Sequence, residues 1–136
     1  MTGALIDSSV LIDIARDDPV WASWSRDALR QAGLEQPLFI NQIILAETAM
    51  AFANAVPEHL AAAGLIQRRD LPWSAAGPAG QAHAEYRRRG GAREAILADF
   101  LIGAHAQVEQ LTLVTRDPRR IRRAFPEVRI IAPEEI

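Results

Sequence analysis

The chain has 136 residues, 49% of them hydrophobic, with a formal net charge of −2; this suits one domain with a packed core and argues against general coating of nucleic acid. It has no cysteine, and all fifteen basic residues are arginine. Disulfides, thiolate metal centres and thiol nucleophiles are thereby excluded, as are P-loop phosphate chemistry, Schiff bases and receiver-type sites that need a lysine.

Residues 1–12 carry Asp7 and show neither a basic start nor a cleavage pattern. No apolar run approaches the ~20 residues needed to span a bilayer. A cytoplasmic protein with no membrane association is expected.

Ala4-Leu5-Ile6 is a short apolar run, broken by Asp7-Ser8-Ser9 and resumed by Val10-Leu11-Ile12. This predicts a buried strand turning into a helix that Asp7 or a serine could cap. Asp18-Pro19 signals a second helix, with Trp21, Trp24, Ala28 and Leu29 at helical spacing. Leu38-Phe39-Ile40 is the second strand, followed by a helix over about 42–55. Pro57 opens a short helix that Gly64 closes. Residues 65–71 form a third strand, and 74–89 a helix interrupted by Gly77-Pro78. A helix over about 93–110 precedes the β-branched strand 111–115. Asp117-Pro118 begins another helix, and 128–131 is a final strand. Alternating strands and helices predict a three-layer α/β/α sandwich with a central, mostly parallel sheet of four to five strands. Residues 1–136 read as one domain.

Four carboxylates stand where a core or a sheet end is expected. Asp7 follows the first strand and Asp117 the fourth, at the ends where open α/β sheets bind ligands; each could equally be a helix cap. Glu47 shares a helical face with Ile43, Met50 and Ala51, which places a charge on the expected core stripe. Asp99 is the one charge between Ala95 and Ala104, in a helix apolar all round, with Gly103 leaving room beside it. Two carboxylates ~5 Å apart at an effective dielectric of ~20 repel by about 3 kcal/mol. If the four converge, they need a cation or shared protons, and no basic side chain is evidently placed among them. Oxygen-only donors of high charge suit Mg2+ or Mn2+, whose chemistry serves phosphodiester hydrolysis.

The segments Leu5-Ile6-Asp7-Ser8-Ser9-Val10-Leu11-Ile12, Asn41-Gln42-Ile43-Ile44-Leu45-Ala46-Glu47, Ala98-Asp99-Phe100-Leu101-Ile102-Gly103-Ala104-His105-Ala106 and Leu113-Val114-Thr115-Arg116-Asp117 occur in that order. Together they resemble the successive motifs of PIN-domain proteins, most of all the VapC-type toxins, and the resemblance covers essentially the whole chain. It implies that Asp7, Glu47, Asp99 and Asp117 are the catalytic, metal-binding acids, with Ser9 and Thr115 as supporting hydroxyls. It further implies a Mg2+- or Mn2+-dependent ribonuclease, a homodimer, and inhibition by a cognate antitoxin that also binds DNA. A non-catalytic PIN-fold module in a DNA-binding complex, or a phosphatase or DNA nuclease, is compatible with the same acids. No motif distinguishes ribose from deoxyribose.

Arg116, Arg119, Arg120, Arg122 and Arg123 cluster beside Asp117, as an RNA-binding patch or a solvated helix face. Arg87-Arg88-Arg89 and Arg93 fit an exposed loop. His59, His83 and His105 lack metal-ligand spacing, and His105 is expected to be a hydrogen-bonded core residue. Trp21 and Trp24 fit a core, or anchors for an antitoxin segment.

Overall fold

The computed structural model describes residues 3–51, 64–91 and 97–133. The short helix expected from Pro57, the extension of the preceding helix to Ala55, and Arg93 with the start of its helix lie outside these residues. The strands are β1 (Ala4–Ile6), β2 (Leu38–Ile40), β3 (Gln67–Arg68), β4 (Thr112–Val114) and β5 (Ile130–Ile131). The helices are α1 (Ser8–Arg16), α2 (Ala22–Glu35), α3 (Gln42–Ala51), α4 (Ala76–Arg88), α5 (Leu97–Val108) and α6 (Arg119–Ala124).

The five strands form one sheet in the order β3-β2-β1-β4-β5, with every pairing parallel. Among the described residues, six helices flank it in a three-layer α/β/α arrangement. β1 is the central strand, and Ala4, Leu5 and Ile6 are all fully buried. Its unbroken apolar run is what a parallel strand needs when both of its faces are covered. β1 aligns Leu5 with Phe39 on one side and with Leu113 on the other. The strand order reverses between β1 and β4, so the crevice at their carboxyl ends is the topological switch point of the sheet.

Several expected elements are narrower or shifted. The third strand shrinks to Gln67–Arg68 and the last to Ile130–Ile131, because edge strands pair on one side only. α2 begins at Ala22 rather than Asp18. Asp18 instead accepts the backbone N–H groups of Val20 and Trp21, both at 2.9 Å, in a turn that leads into the helix. Gly77-Pro78 does not interrupt α4: a 3-10 turn at Trp73–Ala75 passes into the α-helix at Ala76. Pro78 then sits in the first turn, where its missing N–H has no partner to lose. Arg87 and Arg88 occupy the last turn of α4, not a loop.

In α3 the buried residues are Ile44 and Thr48, and Met50 is 84% exposed. The core stripe therefore runs one position away from the expected face, leaving Glu47 half-buried at its rim. So many of this helix's residues are apolar that periodicity alone could not orient it. Gly103 is also needed for another reason than space beside Asp99. A Cβ there would stand 2.7 Å from the Phe125 ring and 2.9 Å from Ile121, so the glycine lets the α6 region close on α5. Among the described residues no helix is long and apolar enough to cross a membrane.

Candidate functional site

β1 delivers Asp7 to the switch point, where its N–H donates to the Val114 carbonyl at 2.9 Å. Asp7 occupies the N-cap position of α1 but makes no side-chain cap hydrogen bond. Its Oδ2 accepts instead from the hydroxyls of Thr115, at 2.8 Å, and Ser9, at 2.9 Å. Both hydroxyls are themselves held. Thr115 Oγ1 accepts the Asp117 N–H at 3.2 Å, and Ser9 Oγ accepts the Arg116 N–H at 3.2 Å. The end of β1 and the loop after β4 are thus stitched together around one carboxylate. The capping role that the sequence left open for Asp7 is absent here.

The other acids come from elsewhere in the chain. Glu47 on α3 accepts from the Ser8 hydroxyl at 3.0 Å. Asp99 lies on α5, and Asp117 precedes α6. A cleft of about 300 Å³ is lined by Asp7, Asp99 and Asp117, with Ser9, Arg116 and Arg120 around them. Glu47 adjoins this group and interacts electrostatically with Asp7 and Asp99.

Burial pushes the carboxyls of Asp7, Glu47 and Asp99 above their ordinary values. Mutual repulsion adds to this: Asp117 acts on Asp7, and Asp7 on both Glu47 and Asp99. The Thr115 and Ser9 hydroxyls pull Asp7 back part of the way. A desolvated, mutually repelling set of oxygen donors fits a hard divalent cation. Among the described residues, no three acids already form a closed ligand set.

A basic side chain does stand among these acids, contrary to the sequence expectation. Arg120 Nη2 lies 3.5 Å from Asp117 Oδ2 and 3.8 Å from Asp99 Oδ2. Asp117 and Arg120 are one helical turn apart in sequence, but Asp99 reaches Arg120 only through the packing of α5 on α6. Arg119 is exposed. Arg116 is engaged in the fold: its Nε donates to Asp13 Oδ2 at 2.8 Å, and its guanidinium lies 5.6 Å from the Trp21 ring centre.

Three roles escaped the sequence reading. Asp13 is 2% exposed and takes a second hydrogen bond from Ser25 at 3.1 Å. Its signal was present, since Val10, Asp13 and Ile14 share a helical face. Ser8, which orients Glu47, and Arg120, as a counter-ion, depend on tertiary neighbours. His105 matches its expectation and is fully buried. Asn41 Oδ1 accepts the Ile44 N–H at 3.0 Å, so its amide donates to His105 Nδ1 at 2.9 Å, and His105 Nε2 donates to Glu109 at 2.6 Å. This chain ties α3, which carries Glu47, to α5, which carries Asp99. His83 stacks on Phe100 with ring centres 5.3 Å apart.

Fold and site together define a parallel α/β domain with a carboxylate cleft at the switch point of its sheet. The PIN domain model matches residues 4–126, and the chain belongs to the PIN domain family. Members of that family are generally nucleases and typically bind divalent metals. No curated protein matches the chain. Among solved structures it is similar to VapBC2 from Rickettsia felis bound to a promoter DNA fragment, at 17% identity and a TM-score of 0.70, over 96% of this chain and 98% of that one. It is also similar to DNA-bound VapBC from Salmonella typhimurium, at 24% identity and 0.68, over 97% and 98%. A toxin-antitoxin complex from Klebsiella pneumoniae aligns at 22% identity and 0.66, over 98% and 100%.

Proposed function

We propose that the protein is a Mg2+- or Mn2+-dependent endoribonuclease, the toxin of a toxin–antitoxin pair, acting in the cytoplasm as one PIN domain over residues 1–136. The observation that carries this is the gathering of Asp7, Glu47, Asp99 and Asp117 at the switch point, three of them with raised pKa values. Structural likeness to VapBC assemblies and to a toxin-antitoxin complex supports the toxin role. It also supports a cognate antitoxin as partner. A homodimer is proposed with it. The presence of all four acids weighs against a purely non-catalytic module, which has no use for a cleft of mutually repelling carboxylates.

Asp7, Glu47, Asp99 and Asp117 would hold the ion. When bound, it supplies Lewis acidity at the phosphate and lowers the pKa of a water to near neutrality. Thr115 and Ser9 orient Asp7 and favour its ionised form against the effect of burial, and Ser8 acts likewise on Glu47. Arg120, beside Asp117 and Asp99, is placed to meet the developing charge on the phosphate. Arg119 extends that positive surface towards the RNA. Arg116 contributes by clamping the loop that carries Asp117, and its exposed part adds to the same field.

The test is a pair of oligonucleotides of one sequence, one RNA and one DNA, incubated with partner-free protein and Mn2+. The proposal expects cleavage of the RNA and an intact DNA strand. Cleavage of DNA alone, or release of phosphate from a phosphomonoester without strand cleavage, would replace it with the DNA-nuclease or phosphatase reading.

A further inference from the structure

Beside the carboxylate cleft lies a second cavity of about 270 Å³ whose character is the opposite. Its lining includes Arg89 from the end of α4 and Arg119, Arg120 and Arg123 from α6, against the rings of Tyr86 and Phe100. No acidic residue lines it among the described residues. Arg120 lines both cavities, so the two are immediate neighbours.

Arg120 is already paired with Asp117 and Asp99, but the positive charges of the other arginines lining this one space repel one another unless an anion stands between them. Arg119 and Arg123 have no ion-pair partner among the described residues, and Arg89 reaches Glu85 only at 3.9 Å. A solvated helix face would spread its arginines around the helix axis. Here residues from two separate helices converge on one concavity. The apolar wall is built in: Phe100 is 1% exposed, and the Tyr86 ring lies 5.6 Å from it, centre to centre. Such a wall reduces the screening of the charges by water. Guanidinium forks match phosphate oxygens two at a time, which makes a phosphodiester the fitting ligand.

We propose that this cavity is a subsite for a backbone phosphate of single-stranded RNA, next along the strand from the phosphate that is cut. The inference rests on the nuclease reading above and adds to it the place where the uncut part of the strand is held. Arg120 joins the two sites.

The experiment measures binding of a short fluorescein-labelled RNA by anisotropy across a salt series, in EDTA so that no strand is cut. Wild type is compared with Arg119→Gln/Arg123→Gln, and with Arg26→Gln/Arg30→Gln as a charge-matched control on α2. The same series is run with a DNA strand of the same sequence. Each phosphate contact to a single strand contributes about 0.7 to the slope of log K against log salt, so the α6 double variant should lose about 1.4 of slope on RNA. Its affinity at low salt should fall about tenfold, while the control keeps the wild-type slope. Equal slopes for wild type and the α6 variant overturn the subsite, and leave the nuclease reading standing if wild type still cuts RNA. Equal losses in both double variants overturn it too, by showing an unlocalised charge effect. A loss confined to the DNA arm overturns the assignment to RNA.

Discussion

Replacing Thr115 by valine removes one hydroxyl from a residue that is 1% exposed while keeping its shape. That hydroxyl donates to Asp7 Oδ2 at 2.8 Å. Burial already raises the Asp7 pKa, and the Thr115 hydrogen bond is the largest influence lowering it again. A hydrogen bond to a charged group contributes about 1.5–3 kcal/mol. Its loss therefore raises the Asp7 pKa further. A cation competes with protons for this carboxylate, so metal binding must shift to higher pH. Where the proton competes, losing the lower end of that hydrogen-bond range weakens Mn2+ binding about tenfold, which removes about 1.4 kcal/mol of metal-induced stabilisation. For a domain of this size that is about 5 °C of melting temperature. The assay is the Tm difference with and without Mn2+, followed from about pH 5 to about pH 8. The midpoint of that difference should move to higher pH in Thr115→Val. An identical midpoint in both proteins would refute the reasoning, because Asp7 would then not be held ionised by Thr115.

Asp99→Asn should abolish cleavage and the metal response, and should leave metal-free thermal stability unchanged or raised. Its folded pKa is raised, chiefly by burial, so its carboxyl supports the fold below the unfolded value of 3.8 and loses that support as pH rises through the folded value. The stability advantage of the variant should therefore grow as pH rises above 3.8 and level off once pH has passed the folded value; calorimetry showing clear destabilisation of the variant at neutral pH would contradict this. Asn41→Ala removes a helix cap, about 1 kcal/mol, and orphans buried His105, about 1–3 kcal/mol, so a loss of about 2–3 kcal/mol is expected in urea unfolding. A loss well below 1 kcal/mol would show that the Asn41–His105 contact carries little. Arg116→Met strands Asp13, and because the pair is partly open to solvent the expected cost is about 2–3 kcal/mol, below the range for fully buried pairs. Wild-type stability in Arg116→Met with impaired RNA binding would return Arg116 to the role of a simple RNA contact.

Much of this arrangement was legible in the chain because its central strands carry no alternation. Ala4-Leu5-Ile6 can only be buried on both faces, and each acid that interrupts such a run marks an end of the sheet or an odd place in a helix. Asp7 and Asp99 were therefore visible without coordinates. Glu47 was visible as an anomaly, but its face was not, since the surrounding helix is apolar on several sides. Edge strands were the least legible, because two residues such as Gln67–Arg68 carry no period. Partnerships across the chain were the other blind spot. Chain order groups Arg116 with Arg119 and Arg120, yet the partner of Arg116 is Asp13, 103 positions away. Arg120 lies three residues after Asp117, but its contact with Asp99 exists only because Gly103 lets Ile121 and Phe125 pack closely on α5.

The central claim, that these carboxylates use a divalent cation to cut RNA, is tested most directly with purified, partner-free protein and a mixed pool of cellular RNA. Wild type and Asp7→Asn are each incubated with and without Mn2+. The account predicts discrete fragments only where wild type and Mn2+ are present together. Fragments of equal yield from Asp7→Asn, or from wild type in EDTA, would contradict it.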